Sequence, residues 1–212
     1  ATFTGTAGGA TTLFTFTDAG TLNGLTPKCV VSSTANNTTL TNAVNGAWDA
    51  ALLVAGSTSL GFGNQGANGL SVLATGTTGT IGAANCSTGT GSFSMGVADR
   101  TIDTTGRTGI QVTWTGRTIS ASGGCPATPR TFAIRLQYST DGGTNFSDAT
   151  GPSEYVSNCT GGHNQTFTNV TLPSGAENIS NLVVRWRYYA VDTAGSGTRP
   201  KLAIDEITVT GN

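Results

Sequence analysis

Charge is scarce in this chain. Ten Lys and Arg and eleven Asp and Glu amount to 10% of 212 residues, where an ordinary soluble domain carries about 25%. They are scattered, and the net charge is −1. Without a basic stripe of the kind a phosphate backbone requires, nucleic acid is excluded as a partner. No apolar run reaches the length of a membrane-spanning helix, so no span is expected. The single His and the absence of any C-x-x-C pair exclude a Cys/His zinc site. The four cysteines, Cys29, Cys86, Cys125 and Cys159, are better explained as disulfides formed in an oxidising compartment. Their spacing does not choose among the pairings. The chain starts at Ala1 without a Met, which predicts a mature secreted protein whose signal peptide has been removed.

What is present instead is Gly, at 31 residues, together with Thr and Ser as the uncharged polar component. Thr favours strands. Strand-like runs with period-two alternation occur at TTLFTFT, KCVVSS, GLSVLA, GSFSMGV, TGIQVTWTG, TFAIRLQYS and NQTFTNVTL. GAWDAALLVAG also reads as a strand, since Gly brackets a length marginal for a helix. Between Tyr138 and Phe146, Asp141-Gly142-Gly143 supplies the left-handed conformations of a hairpin turn. Short strands with turn signals between them predict an all-β, antiparallel jelly-roll-like sandwich, and no linker or composition break divides residues 1–212. The expected core stacks Ile110, Val112 and Trp114 on Phe132, Ile134, Leu136 and Tyr138, and these on Leu182, Val184 and Trp186. Trp48 is left undecided between core and ligand platform.

The C-terminal thirty-two residues carry the strongest pattern. Leu182, Val184, Trp186 and Tyr188 alternate with Val183, Arg185, Arg187 and Tyr189 along one strand. In the next, the apolar set Leu202 and Ile204 resumes at Ile207 and Val209, one residue out of phase. A one-residue slip would turn the apolar side chains outward, so a β-bulge is predicted at Asp205-Glu206. YSTDGGTNF, NLVVRWRY and GTRPKLAIDEITVTG together resemble the jelly-roll modules of secreted and surface proteins of Bacteroidota-type bacteria. The resemblance implies a sandwich fold and export. It also implies a structural calcium at Asp205, completed by Asp18 or Glu206, and O-glycosylation at Thr104 in DTT and Thr193 in DTA. No other cofactor is expected.

Several residues invite a function. Arg135, Gln137, Arg185, Arg187 and Tyr189 fall on one strand face, which would serve as a sugar site with Tyr189 as platform, or as a subunit contact. His163 lies alone in CTGGHNQT, and no carboxylate pair forms a glycosidase motif, so no enzyme is expected. Residues 1–17 carry no charged side chain and alternate Phe with Thr. Such an arm could complete the sheet of a neighbouring subunit by strand addition and build filaments. The expected function is therefore a self-associating extracellular fibre or surface-layer subunit, with a carbohydrate-binding or adhesive module as the alternative.

Overall fold

The computed structural model describes residues 9–17, 22–31, 44–47, 61–74, 96–121, 127–191 and 197–212. Its strands, in chain order, are β1 (Thr11–Phe16), β2 (Thr26–Val31), β3 (Val44–Ala47), β4 (Gly61–Asn64), β5 (Leu70–Leu73), β6 (Gly96–Ile102) and β7 (Gln111–Ser120). They continue as β8 (Phe132–Ser139), β9 (Ser147–Asp148), β10 (Glu154–Val156), β11 (Asn164–Thr171), β12 (Leu182–Ala190) and β13 (Lys201–Gly211). Every pairing is antiparallel. One sheet runs β11-β7-β13-β5-β4 with β1 also on β13, and the other runs β10-β8-β12-β6-β2-β3 with β9 on β8. The two face each other as a jelly-roll-like sandwich, with the first and last strands paired.

The period-two pattern places the core as expected. Ile110, Val112, Trp114, Phe132, Ile134, Leu136, Leu182, Val184 and Trp186 are all buried in one cluster, with Tyr138 partly buried against it. Trp114 stacks on Phe167 with ring centroids 4.6 Å apart. Neither indole N–H, of Trp114 or of Trp186, finds a hydrogen-bond partner. Apolar area, not polar contact, holds these rings inside. Gly116 is required by close packing: a Cβ there would lie 2.4 Å from both Cβ and Cγ of Tyr155, which crosses from the opposite sheet.

The bulge in β13 is present. Its register against β7 shifts between Asp205 and Thr208, and Glu206 adopts a left-handed φ of 50°. The bulge is also where β13 changes partner on its other side. Leu202–Ile204 pair with β5, and Ile207–Gly211 pair with β1. The extra residue re-aims the strand so that Ile204 and Ile207 both reach the core.

The N-terminal arm behaves differently from the filament expectation. Thr11–Phe16 completes its own chain's sheet on β13, and Phe14 and Phe16 enter its own core. Their alternation is that of an ordinary first strand, and these residues are not a free segment for donation. Residues 1–8 lie outside the described residues. Most of GAWDAALLVAG also lies outside them, as do Trp48 and residues 91–95 of GSFSMGV. The strand in that last region begins at Gly96 and runs on through Asp99 and Arg100. Among the described residues no helix is long and apolar enough to cross a membrane.

Candidate functional site

The outer face of the β12-containing sheet holds four of the ion pairs found among the described residues. Asp99 on β6 stands beside Arg185 on β12, because the register opposes these two residues directly. Arg185 donates through Nε to Asp99 Oδ1 at 2.6 Å and through Nη2 to Oδ2 at 2.8 Å, and both side chains are buried. Lys28 Nζ on β2 adds a third bond to Oδ2 at 2.9 Å. The Phe146 ring covers the Arg185 guanidinium, 3.4 Å from its centre. A bidentate fork with a stacked aromatic is the arrangement that arginine makes and lysine does not.

Two strands away a second network forms. Arg135 pairs with Glu154 on β10 and with Asp148 on β9, the latter at 2.8 Å. Gln137 Nε2 donates to Asp148 at 2.7 Å, and the Tyr189 hydroxyl donates to Glu154 at 2.5 Å. Burial first, and then the Glu154 carboxylate, push the Tyr189 phenol above its usual range, so it stays a neutral donor. Arg187 stacks over the Tyr189 ring at 4.9 Å.

This corrects the open sugar face. Gln137, Arg185, Arg187 and Tyr189 are buried and Arg135 is half-buried, so Tyr189 offers no platform. The acids that neutralise them come from β6, β9 and β10, which alternation within β8 and β12 cannot reveal.

Beside Arg185 the same face opens into a cleft of about 490 Å³ with a mostly polar lining. Its floor is β6, β2 and β12 through Thr101, Lys28, Asp99, Val183 and Arg185, and its wall is the hairpin turn at Gly142 and Gly143. That turn is held by Asp141. Its Oδ1 accepts the backbone N–H groups of Thr144 and Asn145 at 3.0 and 2.9 Å and the Ser139 hydroxyl at 2.7 Å. The Asn145 N–H first, then the Ser139 hydroxyl and the Asn145 side-chain amide, hold the Asp141 carboxyl down at about 2 from 3.8. A depressed acid stabilises the turn at all pH values above its unfolded titration and loses that contribution as pH falls through about 2. An NMR pH titration of the Asp141 side-chain carbon should therefore show a midpoint near 2, and Asn145→Ala, which removes the Nδ2 donor 2.6 Å from Asp141 Oδ2, should raise it. A midpoint near the ordinary value would mean that the turn is not capped this way.

The remaining candidates are placed as follows. Asp205 Oδ1 accepts the Glu206 backbone N–H at 2.8 Å, and Arg117 Nη2 lies 3.3 Å from both Asp205 and Glu206. A calcium ion would have to displace Arg117. Among the described residues no three His, Cys, Asp or Glu side chains are grouped to hold a metal, and Asp18 lies outside them.

Thr104 is fully buried. Its hydroxyl bonds to the Ala176 and Ile179 carbonyls at 2.9 Å and accepts the Ile179 N–H at 3.1 Å. It is closed to a glycosyltransferase, correcting that expectation, and Thr193 lies outside the described residues. Cys159 is disulfide-bonded. Cys86 and Cys125 are not described, and of Cys29 only the backbone is.

His163 belongs to a polar cluster that spacing did not reveal. The Tyr155 hydroxyl lies 2.8 Å from Thr118 Oγ1, 3.0 Å from His163 Nδ1 and 2.9 Å from the His163 carbonyl. Thr118 Oγ1 already accepts the Asn158 N–H at 3.0 Å. One assignment satisfies all four contacts: Thr118 and His163 Nδ1–H donate to the phenol oxygen, and the phenol donates to the carbonyl. The cluster pins the Tyr155 crossing.

Fold and site together define an all-β sandwich with a preorganised polar face and an adjoining cleft. No family model matches the sequence, and no curated protein matches it. Solved structures similar to it include the xylan-binding module CBM15, at 11% identity over 94% of this chain and 95% of that one, with a TM-score of 0.42. Another is Xylanase10C from Cellvibrio japonicus in complex with xylopentaose, at 14% identity and a TM-score of 0.40. There the match covers 93% of this chain but 28% of that one. At that distance the likeness says nothing about activity.

Proposed function

We propose that this chain is a non-catalytic carbohydrate-binding module of the extracellular space. The cleft over β2, β6 and β12 carries the proposal. Its volume falls within the roughly 300–1,000 Å³ of small-molecule sites, but its lining is polar, which suits a ligand made of hydroxyls rather than an apolar one. The polar groups are held before any ligand arrives, since the Arg185 fork and Lys28 fix Asp99. Preorganisation of this kind removes the ordering cost from binding.

The same geometry argues against glycoside hydrolysis. That chemistry needs two carboxyl groups flanking the bond. Among the described residues Asp99 is the one carboxylate lining the cleft, and both of its oxygens are committed to cations. The disulfide at Cys159 fits an oxidising compartment, hence export.

Affinity electrophoresis through native gels containing soluble polysaccharides tests the reading. At least one polymer should retard the protein. Thr101→Trp, which adds bulk at an exposed position on the cleft floor, should abolish the retardation with the melting curve unchanged. Free migration through every polymer, or retardation untouched by Thr101→Trp, would sink it.

A further inference from the structure

We infer that the cleft takes an acidic sugar, a glycan unit bearing a carboxylate or a sulfate. The inference rests on the glycan-binding reading above and adds the charge of the ligand.

Among the described residues, four ionisable ones line the cleft: Lys28, Arg100 and Arg185 against Asp99. Three cations less one anion leave a formal charge of +2, set in a chain whose net charge is −1. Asp99 has little left to offer a ligand hydroxyl, because it already takes Arg185 Nε at 2.6 Å, Arg185 Nη2 at 2.8 Å and Lys28 Nζ at 2.9 Å. Lys28 is the opposite case. An ammonium has three N–H donors, among the described residues this one uses a single donor, on Asp99, and its side chain is 29% exposed.

Arg100 supplies a further positive charge from the other face of β6. Its guanidinium lies 4.8 Å above the Phe14 ring and packs so closely on Gly24 that a Cβ there would sit 1.7 Å from Nη1. It makes no hydrogen bond or ion pair among the described residues, and its buried Nε has no partner. Asp141 stands next to the cleft wall but outside its lining, with its carboxylate accepting the Thr144 and Asn145 N–H groups of the hairpin.

Among the described residues the rest of this sheet face sets two cations, Arg135 and Arg187, against two acids, Asp148 and Glu154, with no such excess. Donors in surplus, acceptors spent and local positive charge together select an anionic oxygen group. Charge-assisted hydrogen bonds to such a group are about twice as strong as neutral ones.

The test compares three soluble polymers by titration calorimetry: polygalacturonate for the carboxylate, a sulfated galactan for the ester, and unsubstituted galactan as the neutral control. At low salt, one acidic polymer should bind at least about ten-fold more tightly than the neutral one. That advantage should shrink at 0.5 M salt, because screening shortens the reach of charge to a few ångströms. Which acidic polymer wins identifies the group.

Lys28→Gln should cost about five- to ten-fold on the acidic polymer, a larger loss than it causes on the neutral one. Arg100→Gln, off the cleft floor, serves as the second variant if Lys28→Gln unfolds. Equal binding of neutral and acidic polymers, or a preference that neither variant nor salt reduces, overturns the acidic inference and leaves glycan binding standing. Failure of all three polymers, together with every gel of the electrophoresis panel, removes the glycan reading itself.

Discussion

Asp99→Ala should be among the most damaging single substitutions in this protein, lowering stability by about 3–5 kcal/mol. The reason is not the strength of the Asp99–Arg185 attraction. The partner left behind is a guanidinium that is 3% exposed and stacked under Phe146. Lys28 loses its partner at the same time. In a domain of this size each kcal/mol moves the melting temperature by roughly 2–4 °C, so a drop of about 6–20 °C is expected by circular dichroism. The double variant Asp99→Ala/Arg185→Met removes both charges and should recover most of the loss, since a buried pair replaced by apolar groups is often close to neutral. If the double variant is as unstable as the single one, packing of the arginine stem rather than its charge is what matters there.

Trp114→Ala should cost a comparable 3–5 kcal/mol, through a different mechanism. Trp114 is completely buried between the sheets and stacks on Phe167 from the neighbouring edge strand. Truncation leaves a cavity inside the packed core between the two sheets, which can relax only in part. Trp114→Phe should cost far less, because it keeps a ring against Phe167 and removes the indole N–H that has no partner. Urea denaturation of the three proteins gives the comparison. A Trp114→Phe variant as unstable as Trp114→Ala would show that the indole makes a specific contact.

Much of the sandwich was legible because burial follows strand parity. Phe132, Ile134 and Leu136 announce their face through alternation with Ala133, Arg135 and Gln137. The bulge announces itself as a break in that alternation at Asp205-Glu206. Turn chemistry was equally plain at Asp141-Gly142-Gly143, where both glycines adopt positive φ. The arm departs from the donated-strand expectation because lack of charge and Phe/Thr alternation describe a donated strand and a first strand equally well. Only the partner decides, and the partner of Thr11–Phe16 is β13 of the same chain.

The polar face shows the limit most clearly. Period two correctly put Arg185, Arg187 and Tyr189 on one side of β12, but a side facing away from the core is not thereby in water. Asp99 lies 86 residues from Arg185 in sequence, and Glu154 lies 35 from Tyr189. Thr104 failed as a modification site for the same reason, its hydroxyl being taken by carbonyls more than seventy residues away.

By itself, then, the sequence determined whatever depends on near neighbours along the chain: the strands, their inward faces, the hairpin turn and the phase break at Asp205-Glu206. Backbone geometry turns such local patterns directly into shape. Only the tertiary structure decided which charges meet, that β1 closes its own sheet, and that a polar cleft opens beside Arg185. Those outcomes depend on strand order and register, and residues far apart in sequence carry no mark of the strand they will lie against.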